Sequence, residues 1–494
     1  MDVTIERNTG IPIYKQIYHD LKGKILSEEL TKGYKLPSER KLADTLGIHR
    51  NTVIKAYQYL IADGLVESSV SPRGYFVVYQ SHGLTESFKN VKKKYPNTLH
   101  YMLKEQYLLL NDLFYELFYN NESSSHKESI ISFASDVIMP SEKTKKRLDE
   151  LTISIVKNPE YDIYGFQSSQ GNMNLRKSIV ELLEKKNISA MPSQVQIVSE
   201  TYEAIQLISR LFLYPGDTVL VEEPIPPDMV ENFQLMNLKI ISIPMDKNGM
   251  KTDCLPGLIE NYHPKFIYTV PSFHYPTGYT MSLERRYELL DISYQYDIPI
   301  IEEDCDSAVR FEGNNIPSLK SLDQTGSVIY ISSFIMSICP GIRIAYMLAP
   351  QNIIKSAARI VENTQIFKSP INQFLVTEFI NKGYIYESIE EIKEDCKEKR
   401  DLLCSELKKV PDIDFKFTVP HGGSSLWCYV EESLNSKELL KNAWKGGVSY
   451  TPGDMFFPFS DAGNNYFRLC YGNINLEDIP EGVSRLAEAI RLTR

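Results

Sequence analysis

The sequence lacks the long hydrophobic runs of a membrane protein. No apolar stretch in its 494 residues reaches the roughly 18 residues that are needed to cross a bilayer. The N-terminal residues also lack the hydrophobic core of a secretory signal peptide. These absences predict a cytoplasmic protein without a membrane partner.

Cysteine is scarce, and its pattern excludes two kinds of site. The seven cysteines are scattered along the chain, and no two of them form a C-x-x-C pair. An odd, scattered set is typical of reduced thiols in a reducing compartment. We therefore expect neither a disulfide framework nor a zinc site.

The chain also lacks an excess of positive charge. Its formal charge is −10, which argues against a protein that coats nucleic acid. Residues 1–80 differ from the rest, because 7 Lys and 4 Arg stand there against 4 Asp and 5 Glu. The length predicts two to four domains, of which the N-terminal one is slightly basic.

The first 80 residues have the pattern of a helix-turn-helix with a wing. Apolar residues at steps of four from Ile13 predict a first helix, and Ser38 and Gly47 are suited to cap a second one. A third helix follows after a tight turn and ends at Gly64; its expected inward residues are Val53, Ala56, Tyr57, Leu60 and Ile61. Two β-rich runs around V-S-P-R-G predict a hairpin with Arg73 and Gly74 at its tip.

Polar residues gather where the third helix begins. His49, Arg50, Asn51 and Thr52 precede Lys55 by one turn, the position from which a recognition helix reads bases and phosphates. A basic hairpin tip suits contact with phosphates or the minor groove. On periodicity alone, a small helical domain without DNA binding is an equal alternative.

A longer string decides between them. The segment L-P-S-E-R-K-L-A-D-T-L-G-I-H-R-N-T-V, followed later by G-Y-F-V, resembles the GntR-type winged helix. The resemblance implies that Arg40, Arg50, Thr52 and Gly74 contact DNA. His49 replaces the more usual Ser or Thr before the arginine, so the resemblance does not predict the half-site preference. The predicted DNA-binding set is Ser38, Arg40, His49, Arg50, Asn51, Thr52, Lys55, Arg73 and Gly74.

A connector and an α/β body follow. Residues 81–127 predict a solvated linker that contains a helix. From 128 to 494, β-branched runs such as K-F-I-Y-T-V and V-I-Y-I-S alternate with helical segments, which predicts a mostly parallel sheet with helices on both faces. The last part, from about 370 to 494, predicts a small α+β subdomain.

Several ordered strings of the body resemble aminotransferases of the type I pyridoxal-phosphate fold. They include Tyr164–Arg176, Leu213–Pro224, His274–Arg286 and Ile301–Ser307. The stretch Tyr330–Tyr346 is similar to the lysine loop S-F-S-K-x-x-x-P-G-x-R-x-G-Y of the MocR subfamily of GntR regulators. The resemblance implies a two-fold dimer and a cofactor pocket.

The resemblance fails at the cofactor contacts. Met336 occupies the position of the lysine that would form the Schiff base, and a thioether cannot form an imine. Glu200-Thr201-Tyr202 replaces the phosphate-binding triplet, and Pro226 replaces the ring-stacking aromatic. Further replacements are Glu303, or Asp304 one residue on, for the aspartate at the pyridine nitrogen, Cys305 for a tyrosine, and Ile335 for a serine.

Two arginines of the family pattern are present. The resemblance places Arg343 at the phosphate and Arg468 at a substrate carboxylate; the alternative for Arg468 is an ion pair inside the small subdomain. The predicted ligand pocket consists of Thr201, Tyr202, His274, Glu303, Cys305, Met336, Arg343 and Arg468.

These observations predict a transcription regulator and not an enzyme. Its expected partners are double-stranded DNA, a second copy of itself and a small anionic or amino-acid-like effector, with no covalently bound cofactor. Non-covalent binding of pyridoxal phosphate or a related vitamer stays an open alternative. Two further alternatives are a pyridoxal-phosphate-dependent regulator or aminotransferase with a non-standard site, and a ligand-free dimeric DNA-binding protein.

Overall fold

The computed structural model describes Val3, Ile5 and the ranges 12–26, 29–70, 73–78, 130–460 and 462–494. The chain divides into two compact units, Met1–Glu105 and Gln106–Arg494. The predicted connector over 81–127 lies outside the described residues. Within the described ranges, no helix has the length and apolar character to cross a membrane.

The N-terminal unit combines three helices with a small antiparallel sheet. The helices are α1 (Ile13–Leu26), α2 (Glu39–Leu46) and α3 (Arg50–Ala62). Strand β3 (Arg73–Val77) lies between β1 (Lys35–Leu36) and β2 (Val66–Val70). This arrangement confirms the predicted winged helix-turn-helix.

The caps of α2 explain the tight turn before α3. The side-chain oxygen of Ser38 accepts a hydrogen bond from the backbone N–H of Lys41, which satisfies one of the free donors at the helix start. Gly47 ends the helix in the left-handed conformation, with φ of 60°. His49 has extended backbone, and α3 begins directly after it.

One apolar cluster joins the three helices and the hairpin. Its fully buried members include Ile17, Leu21, Val53, Ala56, Tyr57 and Leu60. The prediction that Ile61 faces inward is wrong, because its side chain is 37% exposed. A helix advances by about 100° per residue, so Ile61 lies about 80° around the axis from Val53, at the edge of the buried stripe.

The second unit is built on an eight-stranded mixed sheet, in the order β5, β12, β11, β10, β9, β6, β7, β8. The strands of this unit are β4 (Ile131–Ser132), β5 (Val195–Val198), β6 (Thr218–Glu223), β7 (Lys239–Asp246), β8 (Gly249–Met250), β9 (Phe266–Thr269), β10 (Ile300–Glu303), β11 (Val328–Ser333), β12 (Ala345–Leu348), β13 (Lys416–Thr418), β14 (Ser425–Tyr429), β15 (Val448–Ser449), β16 (Thr451–Pro452) and β17 (Tyr466–Cys470).

Most of the large sheet is parallel, as predicted. Strands β6, β7, β9, β10 and β11 pair in parallel, whereas β12 runs antiparallel to both β5 and β11, and β8 antiparallel to β7. The segment 334–344 between β11 and β12 is shorter than the crossover that a parallel return needs. The chain therefore reverses directly, which places this segment at the end of β11.

Helices cover both faces of the sheet. They are α4 (Glu142–Lys157), α5 (Met173–Lys185), α6 (Thr201–Phe212), α7 (Pro227–Leu235), α8 (Leu255–Tyr262), α9 (Leu283–Tyr296), α10 (Leu319–Leu322), α11 (Gln351–Thr364), α12 (Pro370–Asn381), α13 (Tyr384–Lys409), α14 (Ser436–Lys445) and α15 (Ile479–Thr493). Alternate residues of β11 face opposite layers: Ile329 and Ile331 contact the cluster of α6, α7 and α11. Val328 faces α8 and α9, and Tyr330 faces α5 and α12.

A smaller antiparallel sheet forms the C-terminal part of the unit. Its order is β13, β14, β17, β16, and its core includes apolar residues of α13, α14 and α15. Strand β4, at the beginning of the unit, pairs in parallel with β15. Residues near 131–137 therefore lie beside the C-terminal sheet, a contact that the residue pattern does not predict. Helix α12 instead buries Phe374 and Phe379 against the large sheet.

Candidate functional site

The predicted recognition residues lie on the surface of the N-terminal unit. At the start of α3, His49, Arg50 and Asn51 are exposed, Thr52 is half-buried, and Lys55 is exposed one turn later. Ser38 and Arg40, at the start of α2, are exposed as well. The side chain of Arg73 lies outside the described part of the chain, while its backbone begins β3.

Two contacts on this surface were not predicted. The Arg50 guanidinium donates two hydrogen bonds to Glu39 Oε2, at 3.2 and 2.7 Å, and Glu39 Oε1 accepts one from the Tyr75 hydroxyl at 2.6 Å. On the wing, a Cβ at Gly74 would lie 2.6 Å from Cε of Lys35. The pairing of β1 with β3 thus adds Lys35 to the basic wing, a link that the sequence shows only once the strand register is known.

In the second unit, a cavity of about 660 Å³ opens at the carboxyl ends of the parallel strands. Open α/β sheets bind ligands at this edge. Residues that follow β5, β6, β9, β10 and β11 form one wall, and residues of the 132–137 segment and the smaller sheet form the other. Of the predicted pocket residues, the cavity is lined by Thr201, Tyr202, Glu303, Cys305, Met336, Arg343 and Arg468.

His274 is the exception, and its assignment to the pocket is wrong. Its ring is buried, with Nδ1 3.0 Å from Thr277 Oγ1 and Nε2 3.6 Å from Glu222 Oε2. Burial lowers the pKa of His274 to about 3. In the turn after β9 the next residue, Tyr275, lines the cavity instead.

The loop 334–344 brings a thioether and no amine to the cavity. Met336 and Ile335 line it, and there is no lysine among the described residues that do so. Lys320 donates instead to the Val328 carbonyl at 2.7 Å, and Lys355 is exposed on α11. Lys186 contacts the Asp304 carboxylate at 3.1 Å, on the far side of β10.

Because side chains alternate along β10, Glu303 and not Asp304 points into the cavity. Glu303 lines the cavity and accepts a hydrogen bond from the Tyr268 hydroxyl at 2.6 Å, with the Cys305 sulfur 3.6 Å from its other oxygen. Asp304 points the other way and accepts from the Tyr330 hydroxyl. Burial raises the pKa of the Glu303 carboxyl.

Additional carboxylates line the same cavity. Asp228 of α7 accepts a hydrogen bond from the Tyr202 hydroxyl at 3.1 Å. Burial raises the pKa of Asp228, and burial together with the charge of Glu303 raises that of Asp306 to about 7. Asp136 completes the set. These three residues were not among the predicted pocket residues, because they come from separate parts of the chain.

The two arginines have different surroundings. Arg343, in the left-handed conformation with φ of 49°, places Nη1 2.5 Å from Oε1 of Glu200, the residue before α6. Arg468 on β17 is only 3% exposed; its Nη2 donates to the Ala134 carbonyl at 2.6 Å and to Thr451 Oγ1 at 3.1 Å.

Part of the Arg468 guanidinium has no partner. Its Nε and Nη1 atoms are buried without a hydrogen bond, and the Asp136 carboxylate lies 3.8 Å from Nη1, beyond hydrogen-bond range. The rings of Tyr275 and Phe456 flank the guanidinium, with centroids 4.4 and 5.6 Å from Cζ. This arrangement holds a buried cation at the cavity wall, and two of its nitrogens have no hydrogen-bond partner.

Comparison with known proteins agrees with both units. Residues 136–486 match the family "Aminotransferase class I and II", and residues 13–77 match "Bacterial regulatory proteins, gntR family". The chain is 28% identical to the uncharacterized HTH-type transcriptional regulator YisV of Bacillus subtilis, over 98% of this chain and 97% of that protein. It is 24% identical to the probable rhizopine catabolism regulatory protein MocR of Rhizobium meliloti, over 99% and 95%.

Solved structures agree with the second unit. Kynurenine aminotransferase of Pyrococcus horikoshii, in complex with PMP, is 30% identical with a TM-score of 0.74, over 80% of this chain and 98% of that one. LysN of Thermus thermophilus, complexed with N-(5'-phosphopyridoxyl)-L-leucine, is 25% identical with a TM-score of 0.72, over 80% and 99%. The chain therefore belongs to the aminotransferase class I and II family and is a GntR-type DNA-binding regulator fused to an aminotransferase-like domain, similar to the MocR-like regulators.

Proposed function

We propose that this regulator binds its operator as a homodimer, and that its aminotransferase-like domain binds a small amino-acid-like carboxylate without a covalent bond. The observation that carries the proposal is the cavity, which presents a buried, partly unpartnered guanidinium at Arg468 but no lysine among its described lining. Such a cavity can hold and release an anion but has no amine for imine formation.

Pyridoxal phosphate does not fit the residues that line this cavity. Met336 occupies the position where an amine is required, and the carboxylate of Glu200 lies against Arg343, where the phosphate would need positive charge. Glu303 lines the cavity at the position where the family resemblance expects an acidic partner for the ring nitrogen. We therefore propose that this chain is not an enzyme, and we assign no reaction step to it.

Exposed aromatic side chains support a homodimer of the body. Tyr164 and Phe166 are 90% and 84% exposed, and the Phe166 ring lies 5.7 Å from that of Phe367. Ile366 beside it is 55% exposed. Large apolar side chains grouped on a surface mark a contact region, and a second copy of the chain would cover this one with two-fold symmetry.

A dimer of this kind presents two winged helices to two half-sites, in the cytoplasm where the DNA is. The exposed start of α3 would enter the major groove, with Arg40, Arg50 and Lys55 near phosphates or base edges and Arg73 on the wing. A ligand in the body would change DNA binding only if it binds the DNA-competent and incompetent arrangements with different affinity.

The test combines ligand screening with DNA binding by the full-length dimer. We expect a carboxylate from an amino-acid panel to raise the melting temperature of the wild-type protein and to change its affinity for an operator selected from random duplexes. Arg468→Gln should abolish both responses, because it removes the charge that the carboxylate needs. Arg359→Gln, which removes a charge from the exposed face of α11, should retain them.

Each of the other outcomes overturns part of the proposal. A response that survives in Arg468→Gln places the ligand elsewhere. Complete silence across the panel supports a ligand-free dimer. An absorption band of an imine that borohydride fixes onto a lysine would establish covalent cofactor binding and overturn the assignment as a non-enzyme.

A further inference from the structure

We propose that Glu200 is an internal anion that fills the phosphate subsite of the cavity, so that the cavity selects an unphosphorylated ligand carrying an ammonium group as well as a carboxylate. This inference rests on the proposed function and names the chemistry of its ligand.

Glu200 lies where three favourable features for an anion meet. It directly precedes α6, whose free backbone N–H groups and helix dipole attract negative charge. Burial raises the pKa of the Glu200 carboxyl, whereas the charge of Arg343 and the Thr201 backbone N–H stabilise its charged form and oppose this rise. Arg343 Nη1 lies 2.5 Å from Oε1, and the Glu200 side chain is 14% exposed. The carboxylate thus takes the position and the cation that an incoming phosphate would use.

The remaining donor of this subsite is also engaged. The Thr201 side chain lowers the pKa of the Glu303 carboxyl, which places a second carboxylate beside the hydroxyl that a phosphate would use. A dianion would have to displace Glu200 from Arg343 and then remain close to both glutamates. Like charges at such distances in a partly buried site repel strongly. The charges of these residues therefore disfavour a phosphate.

The remaining lining of the cavity favours a cation. With Glu200 and Arg343 neutralising each other, the described lining contains four carboxylates, Asp136, Asp228, Glu303 and Asp306, against Arg468. Burial raises the pKa values of Asp228, Glu303 and Asp306, so a nearby positive charge would stabilise their ionised forms.

Arg468 provides an independent indication that a ligand belongs here. Its side chain is 97% removed from solvent, and two of its nitrogens are buried beside the cavity without a hydrogen-bond partner. A ligand with one carboxylate and at least one ammonium would pair its carboxylate with this guanidinium. Its ammonium would compensate the charge of the acidic residues in the lining. An α-amino acid or a related amino carboxylate has this composition.

Matched probes separate the two parts of the inference. Isothermal titration with inorganic phosphate, pyridoxamine and pyridoxamine 5'-phosphate tests the subsite. We expect the wild-type protein to bind no inorganic phosphate and to bind the phosphorylated vitamer no more tightly than pyridoxamine. Glu200→Gln keeps the shape and frees Arg343, and should bind the phosphorylated vitamer at least tenfold more tightly than the wild type does.

Two variants control this result. Glu231→Gln removes the same charge from half-buried α7 without touching the described lining, and should leave phosphate binding absent. In the double variant Glu200→Gln/Arg343→Gln the gain should disappear. Circular dichroism and the melting temperature verify that each variant is folded. Phosphate binding by the wild type, or no gain in a folded Glu200→Gln, overturns the role of Glu200.

Thermal shifts with L-amino acids and their deaminated acids test the ammonium. We expect at least one amino acid to stabilise the protein at a tenfold lower concentration than the acid without its amine. A panel in which no amino acid binds better than its deaminated counterpart overturns this part. A gain of phosphate binding in Glu200→Gln with no amino-acid response would leave the role of Glu200 intact while the sensor proposal fails.

Discussion

At the start of the recognition helix, one arginine connects three elements of the winged helix. Arg50 of α3 pairs with Glu39 of α2, and Glu39 accepts a hydrogen bond from Tyr75 of β3. A surface ion pair contributes about 0–1 kcal/mol to stability. The pair therefore matters for position: the Glu39 carboxylate holds the Arg50 guanidinium at the surface that we propose as the DNA-binding surface.

Arg50→Gln should weaken operator binding by about tenfold to a hundredfold, the loss of one base or phosphate contact. The melting temperature should change little, because half of the Arg50 side chain is exposed. Fluorescence anisotropy at several salt concentrations measures the effect, and a reduced salt slope would assign the contact to a phosphate. Unchanged affinity, alongside an unchanged Arg359→Gln control, would remove Arg50 from the interface.

Asp306 should make ligand binding depend on pH. Its pKa is raised to about 7, first by burial and then by the charges of Glu303, Asp136 and Asp304, so that much of it is protonated below neutrality. A bound ammonium favours the carboxylate and lowers this pKa, so binding releases a proton at low pH. The carboxyls of Glu303 and Asp228, whose pKa values are also raised, act with the same sign.

The affinity for an amino carboxylate should therefore rise between pH 5.5 and 7, by at most about tenfold per pH unit, and level off above the pKa. Calorimetry in buffers of different ionisation enthalpy counts the released protons. Asp306→Asn should flatten the profile. An affinity that falls as the pH rises would mean that the ligand carries no cation near Asp306.

Local rules predicted the elements of this fold better than their relations. Ser38 and Gly47 marked the ends of α2 because capping depends on one side chain or one backbone conformation. The direction of β12 was not predicted, since it depends on how the segment 334–344 returns to the sheet. The choice between His274 and Tyr275 depends on the same kind of turn geometry, which the residue types do not encode.

The residues of the cavity also fall into two groups: some are identified by a local string, and others are brought together only by the fold. Met336, Arg343 and Arg468 were identified because each falls at a fixed position in a local string. Asp136 and Asp228 come from segments far apart in the chain, and only the pairing of β4 with β15 and the position of α7 bring them together. The acidic character of the cavity lining could therefore not be predicted from the sequence.

The packing of the turn before α5 against β5 permits a test at the level of elements. Gly171 has φ of 103°, and a Cβ there would lie 2.2 Å from Cγ1 of Ile197. Gly171→Ala should lower the free energy of unfolding by roughly 3 kcal/mol, from overpacking and backbone strain together. Chemical denaturation of the full-length chain measures this change.

Gly257→Ala is the matched control within α8. A Cβ at Gly257 meets no atom within 4 Å, and alanine has the higher helix propensity. This substitution should leave stability unchanged or raise it by up to about 1 kcal/mol. A Gly171→Ala protein as stable as the control would show that the turn and Ile197 can move apart at little cost.

In the whole molecule, we expect the exposed aromatic surface to form the dimer interface and thereby to determine the affinity for an operator with two half-sites. Phe166→Asp places a charge at the centre of the apolar group formed by Tyr164, Phe166, Ile366 and Phe367. Sedimentation should then show a monomer where the wild type is a dimer. Affinity for a two-half-site operator should fall at least tenfold, because the second half-site contact is no longer intramolecular.

Affinity for an isolated half-site should stay unchanged in Phe166→Asp, since the N-terminal unit has its own core. Met191→Asp, a charge placed at another exposed apolar residue, should remain dimeric and bind both DNAs as the wild type does. A Phe166→Asp protein that is still dimeric would move the interface to another surface. Loss of half-site binding in the Phe166→Asp variant would instead show that the body contacts DNA directly. The dimer would then do more than set the spacing between two independent winged-helix domains.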